Sequence, residues 1–291
     1  MKEENFMKIF YHVDEDGKCA AFWVRKLAKH YDGLKREFIP INYGMEFPFD
    51  DIHPGEQVYI VDYSIFPEEM ERLLKITKDV VWIDHHISAI QRYEIDRFKD
   101  MKIEGVRKNG TAGCMLTYLY LSGKYGDVGV EQHAPAFTKY IADYDVWKFE
   151  YGEASKKFEA GLSCYDLNPE GDIWKELFHE EKIEEVLSAG ESILKYQDNW
   201  AKDYCEYYGF DTTFEGYKAF AMNLAMISSD YFKSVEGEYD LFIGFAFNGE
   251  SWNYSLRSET VDCSKLAMKY GGGGHPGAAG FSTDELLVKK E

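Results

Sequence analysis

The chain has 291 residues, of which 45% are hydrophobic and 16% aromatic, which excludes a disordered chain and suffices for one or two packed domains. No apolar run approaches the ~18 residues that cross a bilayer, and the segment at residues 1–10, with charged residues at four of its positions, is unlike a secretory signal. The formal net charge of −19 disfavours a long duplex as a partner, because such a partner is held through many Lys and Arg contacts. This net charge is still compatible with a short nucleotide as a ligand or substrate.

The first third of the chain alternates short apolar runs with helical periodicity. Strands are predicted at residues 8–11, 38–41, 58–61 and 80–83, and helices at residues 20–31 and 67–76. Strands separated by helices are typical of βαβ units, which form a parallel sheet with helices on both faces. His12, Asp14, Asp62 and Asp84 come just after three of these strands. Ligands of such sheets bind at the carboxyl ends of the strands, so we expect these side chains to meet at one edge.

Further along the chain the pattern changes from helices to strands. Helices are predicted at residues 109–122, 134–142 and 182–208, with a polar loop at 150–172; strands follow at 218–224, 239–247 and 251–256. Asn248-Gly249 is a plausible hairpin turn. We predict an α/β protein: an N-terminal catalytic domain with a parallel sheet (residues 1–185), a connecting helix (186–212) and a smaller α/β domain with a mixed sheet (213–291).

The five cysteines are scattered and odd in number, without a C-x-x-C pair: Cys19, Cys114, Cys164, Cys205 and Cys263. This pattern disfavours both a disulfide framework and a cysteine-ligated zinc site. It is typical of reduced thiols, and we expect a cytoplasmic protein.

Four polar segments carry the candidate chemistry. They are H-V-D-E-D-G at residues 12–17, V-D at 61–62, D-H-H at 84–86 and A-D-Y-D at 142–145. Each has an ordinary explanation when it is taken alone. Asp62 suits a helix N-cap, the two histidines suit a polar surface corner, and Asp143 and Asp145 suit a solvated helix end. For Asp145 we prefer that explanation.

Taken together, the four segments favour a metal site. Carboxylates brought to one sheet edge repel each other by roughly 4 kcal/mol per pair at about 4 Å, with an effective dielectric constant of ~20. A cation removes this penalty, and aspartate oxygens with imidazole nitrogens suit manganese or another first-row divalent metal. The candidate ligands fit two metals better than one, with one bridging carboxylate. Two metals roughly 3.5–4 Å apart are typical of phosphoryl hydrolysis.

The content and order of these motifs resemble the DHH superfamily of phosphoesterases. H-x-D-x-D-G, V-D, D-H-H and A-D-x-x-x-W match its first four motifs, and Arg257-Ser258 with the glycine-rich residues 271–281 resembles its C-terminal domain. The resemblance spans residues 9–281. It implies phosphoester hydrolysis by a metal-bound hydroxide, with two divalent cations: Mn first, with Mg or Co as alternatives.

The resemblance also implies a role for each matching residue. The first metal is assigned to three ligands: His12, Asp14 and Asp62. The second is assigned to four ligands, with Asp62 as the bridge: Asp16, Asp62, His85 and Asp143. As catalytic residues, Asp84 is expected to orient the histidines and His86 to face the scissile phosphate. The residues expected to bind the substrate are Arg257, Ser258, Gly273, Gly274 and His275.

The sequence leaves structural alternatives open for several residues. Four consecutive glycines are common in flexible linkers, although His275 and the small residues after them favour an ordered segment close to a phosphate. Arg257 is either a surface charge or a planar fork that holds a phosphate. Lys18 is a further candidate for a phosphate contact, and Tyr63 and Trp147 are candidates for stacking on a base.

Within the family, the sequence favours a small substrate. The first motif differs from the pyrophosphatase pattern H-x-x-x-D-x-D, and the chain has no membrane segment and no room for the extra domain of large single-strand exonucleases. We predict hydrolysis of short single-stranded oligonucleotides or small nucleotide phosphodiesters to nucleoside monophosphates, with a homodimer as one option. The alternatives are a nucleotide phosphomonoesterase or exopolyphosphatase, and a non-catalytic nucleotide-binding protein.

Overall fold

A computed structural model describes residues 6–28, 35–95, 97–125, 133–225 and 227–290, without the side chains of Tyr125 and His275. The chain divides into two compact units, Met1–Ser192 and Ile193–Glu291. Helix α8 (Glu180–Tyr208) passes through this division. Among the described residues, no helix is long and apolar enough to cross a membrane.

The first unit is built on a four-stranded parallel sheet. Its strands are β1 (Phe6–His12), β2 (Lys35–Ile41), β3 (Gln57–Val61) and β4 (Val80–Ile83). They pair in the order β2-β1-β3-β4, and every pair is parallel. All residues of β3 and β4 are buried, which explains their continuous apolar runs. The predicted parallel sheet is confirmed.

Alternate residues of β3 face two separate cores. Tyr59 and Val61 belong to a core that includes residues of three helices: α1 (Glu15–Leu27), α4 (Gly113–Tyr125) and α5 (Ala136–Asp145). Val58 and Ile60 belong to a core that includes residues of α2 (Pro67–Ile76) and α3 (Ile87–Tyr93). The side chains of a strand alternate between the two faces of a sheet, so both faces of this sheet are apolar and helices cover them. The polar groups lie at the strand ends.

Helix α1 begins five residues earlier than the sequence predicted. Asp14 is its N-cap, and the Oδ1 atom of Asp14 accepts a hydrogen bond of 2.8 Å from the N–H of Gly17. The end of the predicted helix, residues 29–31, lies outside the described residues.

Residues 150–172, which the sequence predicted as a loop, contain helix α6 (Glu153–Leu162); α7 (Ile173–Glu176) follows. The loop prediction was wrong because it took the glycines as turn residues. A Cβ on Gly161 would lie 2.0 Å from the carbonyl oxygen of Val186 in α8, and one on Gly190 would lie 1.7 Å from the carbonyl oxygen of Lys157 in α6. The two helices therefore approach backbone to backbone, which a side chain would prevent.

The second unit contains a six-stranded mixed sheet. Its strands are β5 (Gly209–Phe214), β6 (Tyr217–Met222), β7 (Leu241–Phe247), β8 (Trp252–Arg257), β9 (Gly273–His275) and β10 (Ala278–Thr283). They pair in the order β5-β6-β7-β8-β10-β9, in which β6 and β7 are parallel and the other pairs antiparallel. The predicted mixed sheet is confirmed, but β5, β9, β10 and helix α9 (Cys263–Met268) were missed.

Two turns of this sheet explain local sequence features. Asn248 closes the predicted hairpin, since its Oδ1 atom accepts hydrogen bonds of 2.9 and 2.8 Å from the N–H groups of Glu250 and Ser251. The glycine run leads into the β9–β10 hairpin, where a Cβ on Gly272 would lie 2.1 Å from the carbonyl oxygen of Gly280. Gly272 is thus required for close strand packing, and the linker alternative is wrong because the run continues into a paired strand.

Candidate metal centre

Three neighbouring strands of the parallel sheet end at the candidate site. His12 is the last residue of β1, Asp62 follows β3, and Asp84 follows β4. Because β3 lies between β1 and β4, the polar residues beyond the three strand ends meet around Asp62. Two helix positions complete the cluster: Asp16 in the first turn of α1, and Asp145 at the end of α5.

Asp62 lies at the centre of the cluster without hydrogen bonds to its carboxylate. The residue is 1% exposed, and neither carboxylate oxygen has a hydrogen-bond partner. Its nearest nitrogens are His85 Nε2, 3.1 Å from Oδ1, and His12 Nδ1, 3.9 Å from Oδ2. Burial, followed by the charges of Asp16 and Asp14, raises the pKa of Asp62 well above its usual value. A buried carboxylate in this state is unfavourable unless it is paired or coordinates a metal, so the site fits a cation.

The backbone of Asp62 is also unusual. Its φ of +54° lies in the left-handed region, which aspartate and asparagine adopt more readily than other residues with a Cβ. The N–H of Asp62 donates to the carbonyl oxygen of Ile83 at 2.8 Å, which joins the turn after β3 to the end of β4. Such strained positions are common at functional sites.

One group of candidate ligands consists of His12, Asp14 and Asp62, whose ligand atoms lie within 4.8 Å of one another. The Nδ1 atom of His12 is 2.5 Å from Oδ2 of Asp14. Burial lowers the pKa of His12, but the hydrogen bond with Asp14, the negative charges of Asp14 and Asp16 and the hydrogen bond with Asn42 together outweigh it, so the pKa is raised. Burial raises the pKa of Asp14, but the hydrogen bond with His12, the charge of His12 and the hydrogen bond from the N–H of Gly17 together outweigh it, so the pKa is lowered. The Nδ1 atom of His12 and the Oδ2 atom of Asp14 thus lie close enough to share one cation.

A second group consists of Asp16, His85 and Asp145, and a third overlapping group joins Asp62, His85 and His86. The Nε2 atom of His85 lies 4.0 Å from Oδ2 of Asp16 and 3.5 Å from Oδ2 of Asp145. Burial lowers the pKa of His85, which favours the neutral imidazole required of a metal ligand. Asp62 therefore adjoins candidate ligands on two sides.

The start of α4 holds Asp16 in place. The N–H of Gly113 donates to Oδ2 of Asp16 at 2.6 Å, and the N–H of Cys114 donates to Oδ1 at 2.9 Å. A Cβ on Gly113 would lie 2.7 Å from Cβ of Asp62 and 2.9 Å from Oδ2 of Asp16. Gly113 thus belongs to the site, although no motif in the sequence indicated it.

The structure places Asp145 in the cluster and directs Asp143 elsewhere. The carboxylate of Asp143 accepts hydrogen bonds from the N–H of Glu150 at 2.8 Å, the N–H of Tyr151 at 3.2 Å and the hydroxyl of Ser155. These bonds tie the end of α5 to the start of α6. The motif predicted the opposite arrangement, with Asp143 as the ligand and Asp145 as a solvated helix end, and that ligand set stays a prediction.

Asp145 has the surroundings of a ligand. Its Oδ2 atom is buried without a hydrogen-bond partner. Burial, followed by the charges of Asp16 and Asp14, raises the pKa of Asp145 to about 9. Residues two positions apart on a helix do not share a face, so one of the two carboxylates had to point away. The sequence pattern did not distinguish them.

Asp84 orients the histidine pair. It is fully buried, and its Oδ1 atom accepts from the N–H of His85 at 2.8 Å and lies 2.7 Å from Nδ1 of His86. The hydroxyl of Ser64 donates to the other oxygen at 3.2 Å. Because the carboxylate of Asp84 accepts hydrogen bonds, Nδ1 of His86 is the donor and carries the proton, and Nε2 faces away from Asp84.

The residues after β2 contact this site but were not indicated by the sequence. The ring of Tyr43 packs against the rings of His12 and His86, with centroid distances of 5.1 and 6.1 Å, and stacks on Tyr63 at 5.3 Å. Its hydroxyl donates to Oγ of Ser64 at 3.3 Å. Tyr43 is 48% exposed, whereas Tyr63 is 4% exposed, so the predicted stacking role of Tyr63 is not available to a ligand.

Two other candidates from the sequence lie on the α1 and α5 side. Trp147 is 64% exposed and lines a recess together with Asp14, Asp16 and Asp145. The Nζ atom of Lys18 lies 3.9 Å from Oε1 of Glu15 in the same helix. Of these two, Trp147 is the one that offers an exposed surface beside the cluster.

In the second unit, Arg257 and Ser258 make backbone hydrogen bonds. The guanidinium of Arg257 donates to the carbonyl oxygens of Leu256 at 2.8 Å and Ile227 at 2.7 Å, and burial lowers the pKa of Arg257. The hydroxyl of Ser258 donates to the carbonyl oxygen of Asp240 at 2.6 Å. A guanidinium has five N–H donors, so Arg257 has further donors beyond those in these two bonds.

The glycine-rich hairpin has an open side. A Cβ on Gly273 would have no neighbour within 4 Å, whereas Gly274 has a φ of +141° and packs closely on Ala279. Gly273 therefore leaves backbone accessible to a ligand. The side chain of His275 lies outside the part of the chain that the structure describes.

Comparison with known sequences gives limited information. No family model matches the chain. An uncharacterized protein of Acanthamoeba polyphaga mimivirus is 23% identical over 306 residues, which cover 97% of this chain and 68% of that protein.

Comparison with solved structures shows the fold. The pGpG-specific phosphodiesterase PggH from Vibrio cholerae matches with a TM-score of 0.53 and 12% identity, over 96% of this chain and 94% of that one. An exopolyphosphatase-related protein from Bacteroides fragilis matches with a TM-score of 0.51 and 14% identity, over 98% and 88% of the two chains. RecJ from Thermus thermophilus in complex with Mn²⁺ matches with a TM-score of 0.50 and 14% identity, over 97% of this chain and 50% of RecJ. The chain shares its fold with these three proteins.

Proposed function

We propose that this chain, with its DHH superfamily fold, is a two-metal phosphoesterase that hydrolyses short oligonucleotides or small nucleotide phosphodiesters to nucleoside monophosphates. The position of Asp62 carries the proposal. Its buried oxygens lack hydrogen-bond partners, and it adjoins candidate ligands on two sides. A cation on each side, with Asp62 between them, would satisfy both oxygens.

The proposed ligand set follows the clusters in the structure. The first cation would be held by His12, Asp14 and Asp62. The second would be held by Asp16, Asp62, His85 and Asp145, with Asp145 in place of the expected Asp143. Carboxylates with imidazoles suit Mn²⁺ best among the common divalent ions, with Mg²⁺ or Co²⁺ as alternatives. Two such cations would lower the pKa of a water and offset the negative charge of the phosphate.

We infer that His86 assists the leaving group. Its Nδ1 atom is committed to Asp84, so Nε2 is the nitrogen that can reach a substrate. Burial lowers the pKa of His86, but the hydrogen bond with Asp84 and the charges of Asp84 and Asp16 together outweigh it, so the pKa is raised. A larger fraction of His86 is then protonated near neutral pH, which suits donation of a proton to the departing oxygen.

Three features support a small nucleotide as the substrate. The net charge of −19 disfavours long phosphate backbones. The Vibrio cholerae protein, named for its activity on pGpG, matches along nearly the whole of both chains. Tyr43 and Trp147 expose aromatic surface beside the candidate ligands, which suits stacking on a base.

We further propose that the second unit binds the phosphate of the substrate that is not hydrolysed, the distal phosphate. The residues for this role are those indicated by the motif: Arg257, Ser258, Gly273, Gly274 and His275. The open side of Gly273 and the remaining donors of Arg257 support a phosphate as the bound group.

A second candidate function is release of terminal phosphate from polyphosphate or a nucleotide. The exopolyphosphatase-related protein of Bacteroides fragilis, which matches over most of both chains, favours it. The acidic net charge disfavours the longer polyphosphates.

A substrate panel with purified protein and Mn²⁺ separates these functions. Its members are 5′-phosphorylated dinucleotides, oligonucleotides of increasing length, mononucleotides and polyphosphate. We expect dinucleotides to yield nucleoside monophosphates, with rates that fall as the substrate lengthens. Phosphate released only from mononucleotides or polyphosphate would establish the second candidate. Metal binding without turnover of any phosphate ester would overturn both and leave a binding protein; Asp62→Asn controls for contaminating phosphatases.

A further inference from the structure

Asn42 links the end of β2 to the first histidine of the metal centre. In the β1–β2 pairing, His12 stands opposite Ile41, so the next residue, Asn42, lies beside the imidazole. The Oδ1 atom of Asn42 accepts a hydrogen bond of 2.8 Å from the N–H of Tyr43 and lies 3.3 Å from Nε2 of His12. The same side-chain oxygen thus contacts both groups.

These two contacts require a proton on Nε2 of His12. The N–H of Tyr43 can only donate, so the atom of the Asn42 amide that faces it must be the oxygen. Reversing the amide would set its NH₂ group against this N–H and leave two donors facing each other. Because the oxygen also faces Nε2 of His12, Nε2 must be the donor.

The other nitrogen then points at the candidate metal position. The Nδ1 atom of His12 lies 2.5 Å from Oδ2 of Asp14 and 3.9 Å from Oδ2 of Asp62. A neutral imidazole with its proton on Nε2 has its lone pair on Nδ1. The ring of Tyr43, with its centroid 5.1 Å from that of His12, packs beside the imidazole and limits its rotation.

We propose that Asn42 is a positioning residue that selects the Nε2–H tautomer of His12 and thereby presents Nδ1 to the first metal. This inference rests on the proposed function only for the presence of a metal, and does not depend on the substrate. Hydrogen bonds from a metal-ligating histidine to a second group fix its tautomer and orientation, and their loss typically lowers metal affinity by about 10–100-fold.

The first test measures Mn²⁺ binding without substrate. Asn42 is exposed, so Asn42→Leu removes the acceptor while keeping the branched shape and the number of side-chain heavy atoms, without touching a core. We expect two Mn²⁺ sites in the wild-type chain and an affinity about 10–100-fold lower for one of them in Asn42→Leu. Asn42→Asp keeps an acceptor and should restore binding. Tyr43→Phe, which keeps the ring and its backbone N–H, is the matched control and should bind as the wild type does.

The second test reads the tautomer directly in the unsubstituted protein. Long-range ¹H–¹⁵N spectra of the ¹⁵N-histidine-labelled protein with saturating Mg²⁺ should show His12 protonated at Nε2, with assignment by the His12→Gln variant. A proton on Nδ1 of His12, or unchanged Mn²⁺ affinity in Asn42→Leu, would overturn the proposal. Absence of Mn²⁺ binding by the wild type would overturn both this proposal and the two-metal function. Normal Mn²⁺ binding without phosphodiester turnover would overturn the function alone.

Discussion

Gly113 lies against Asp62 so closely that a Cβ on the glycine would be 2.7 Å from Cβ of the aspartate. The two residues come from α4 and from the turn after β3. This contact places the N-terminus of α4 directly against the candidate metal centre. There the N–H of Gly113 also donates a hydrogen bond of 2.6 Å to Asp16. The arrangement leaves no room for even a methyl group between the helix and the candidate bridging ligand.

Gly113→Ala should therefore damage the metal centre. The methyl group would displace Asp62 or Asp16, and we expect at least about tenfold weaker Mn²⁺ binding and a similar or larger loss of activity, comparable to the loss of a group that orients ligands. Gly123→Ala, in the same helix, is the matched control, because a Cβ there has no neighbour within 4 Å. That variant should gain about 0.5–1 kcal/mol in the free energy of unfolding without a change in Mn²⁺ binding. Equal Mn²⁺ affinities in the two variants would contradict the contact.

Asp143 and Asp145 should respond differently to the same substitution. Asp145→Asn removes a charged ligand of the proposed second metal, so calorimetry should show one Mn²⁺ site weakened and the rate of hydrolysis reduced by about 100-fold or more. Asp143→Asn weakens the hydrogen bonds that tie α5 to α6 and should lower the free energy of unfolding by about 1–3 kcal/mol. Its folded fraction should still bind two Mn²⁺ ions. A weakened Mn²⁺ site in Asp143→Asn, with two normal sites in Asp145→Asn, would instead support the ligand set expected from the motif.

The metal-free protein should be destabilised at neutral pH by Asp145. Its folded pKa is raised to about 9, above an unfolded value of about 3.9. A group raised in this way contributes fully to stability below the unfolded pKa, and the contribution is lost as the pH rises through the folded pKa. In EDTA, Asp145→Asn should thus unfold at higher urea concentration than the wild type at pH 8, and the difference should shrink towards pH 4. A difference independent of pH would argue against a buried, repelled carboxyl at this position.

Arg257 should affect both the stability of the second unit and substrate binding. Arg257→Met removes two hydrogen bonds to backbone carbonyls, which predicts a loss of about 1–3 kcal/mol in the free energy of unfolding. If the guanidinium also binds the distal phosphate, the KM for a dinucleotide should rise by about tenfold or more in the folded variant, while Mn²⁺ affinity stays the same. An unchanged KM would limit Arg257 to its structural role.

The strand ends could be predicted from sequence because a simple rule places them. Apolar runs marked β3 and β4, and parallel strands bring the residues after their carboxyl ends to one edge of the sheet. The cluster around Asp62 and Asp84 results from that topology. The positions of Asn42 and Gly113 could not be predicted in this way. Asn42 reaches His12 only through the register of β2 against β1, and no short-range spacing encodes that register.

Helix geometry accounts for the remaining differences. Asp143 and Asp145 are two positions apart at the end of α5, and which of them faces inward depends on how α5 packs against α1 and α6. Gly161 looked like a turn residue, but together with Gly190 it allows α6 and α8 to touch. In both cases the deciding contacts join segments that are distant in the sequence.

The left-handed backbone of Asp62, with its φ of +54°, limits how this centre can be lost in evolution. Only glycine, asparagine and aspartate adopt that conformation at little cost, so most single replacements of Asp62 would disturb the turn after β3 as well as remove the charge. A descendant that abandons metal chemistry while keeping its fold is therefore expected to carry Asn or Gly at this position. Such a change would mark a chain retained for binding alone.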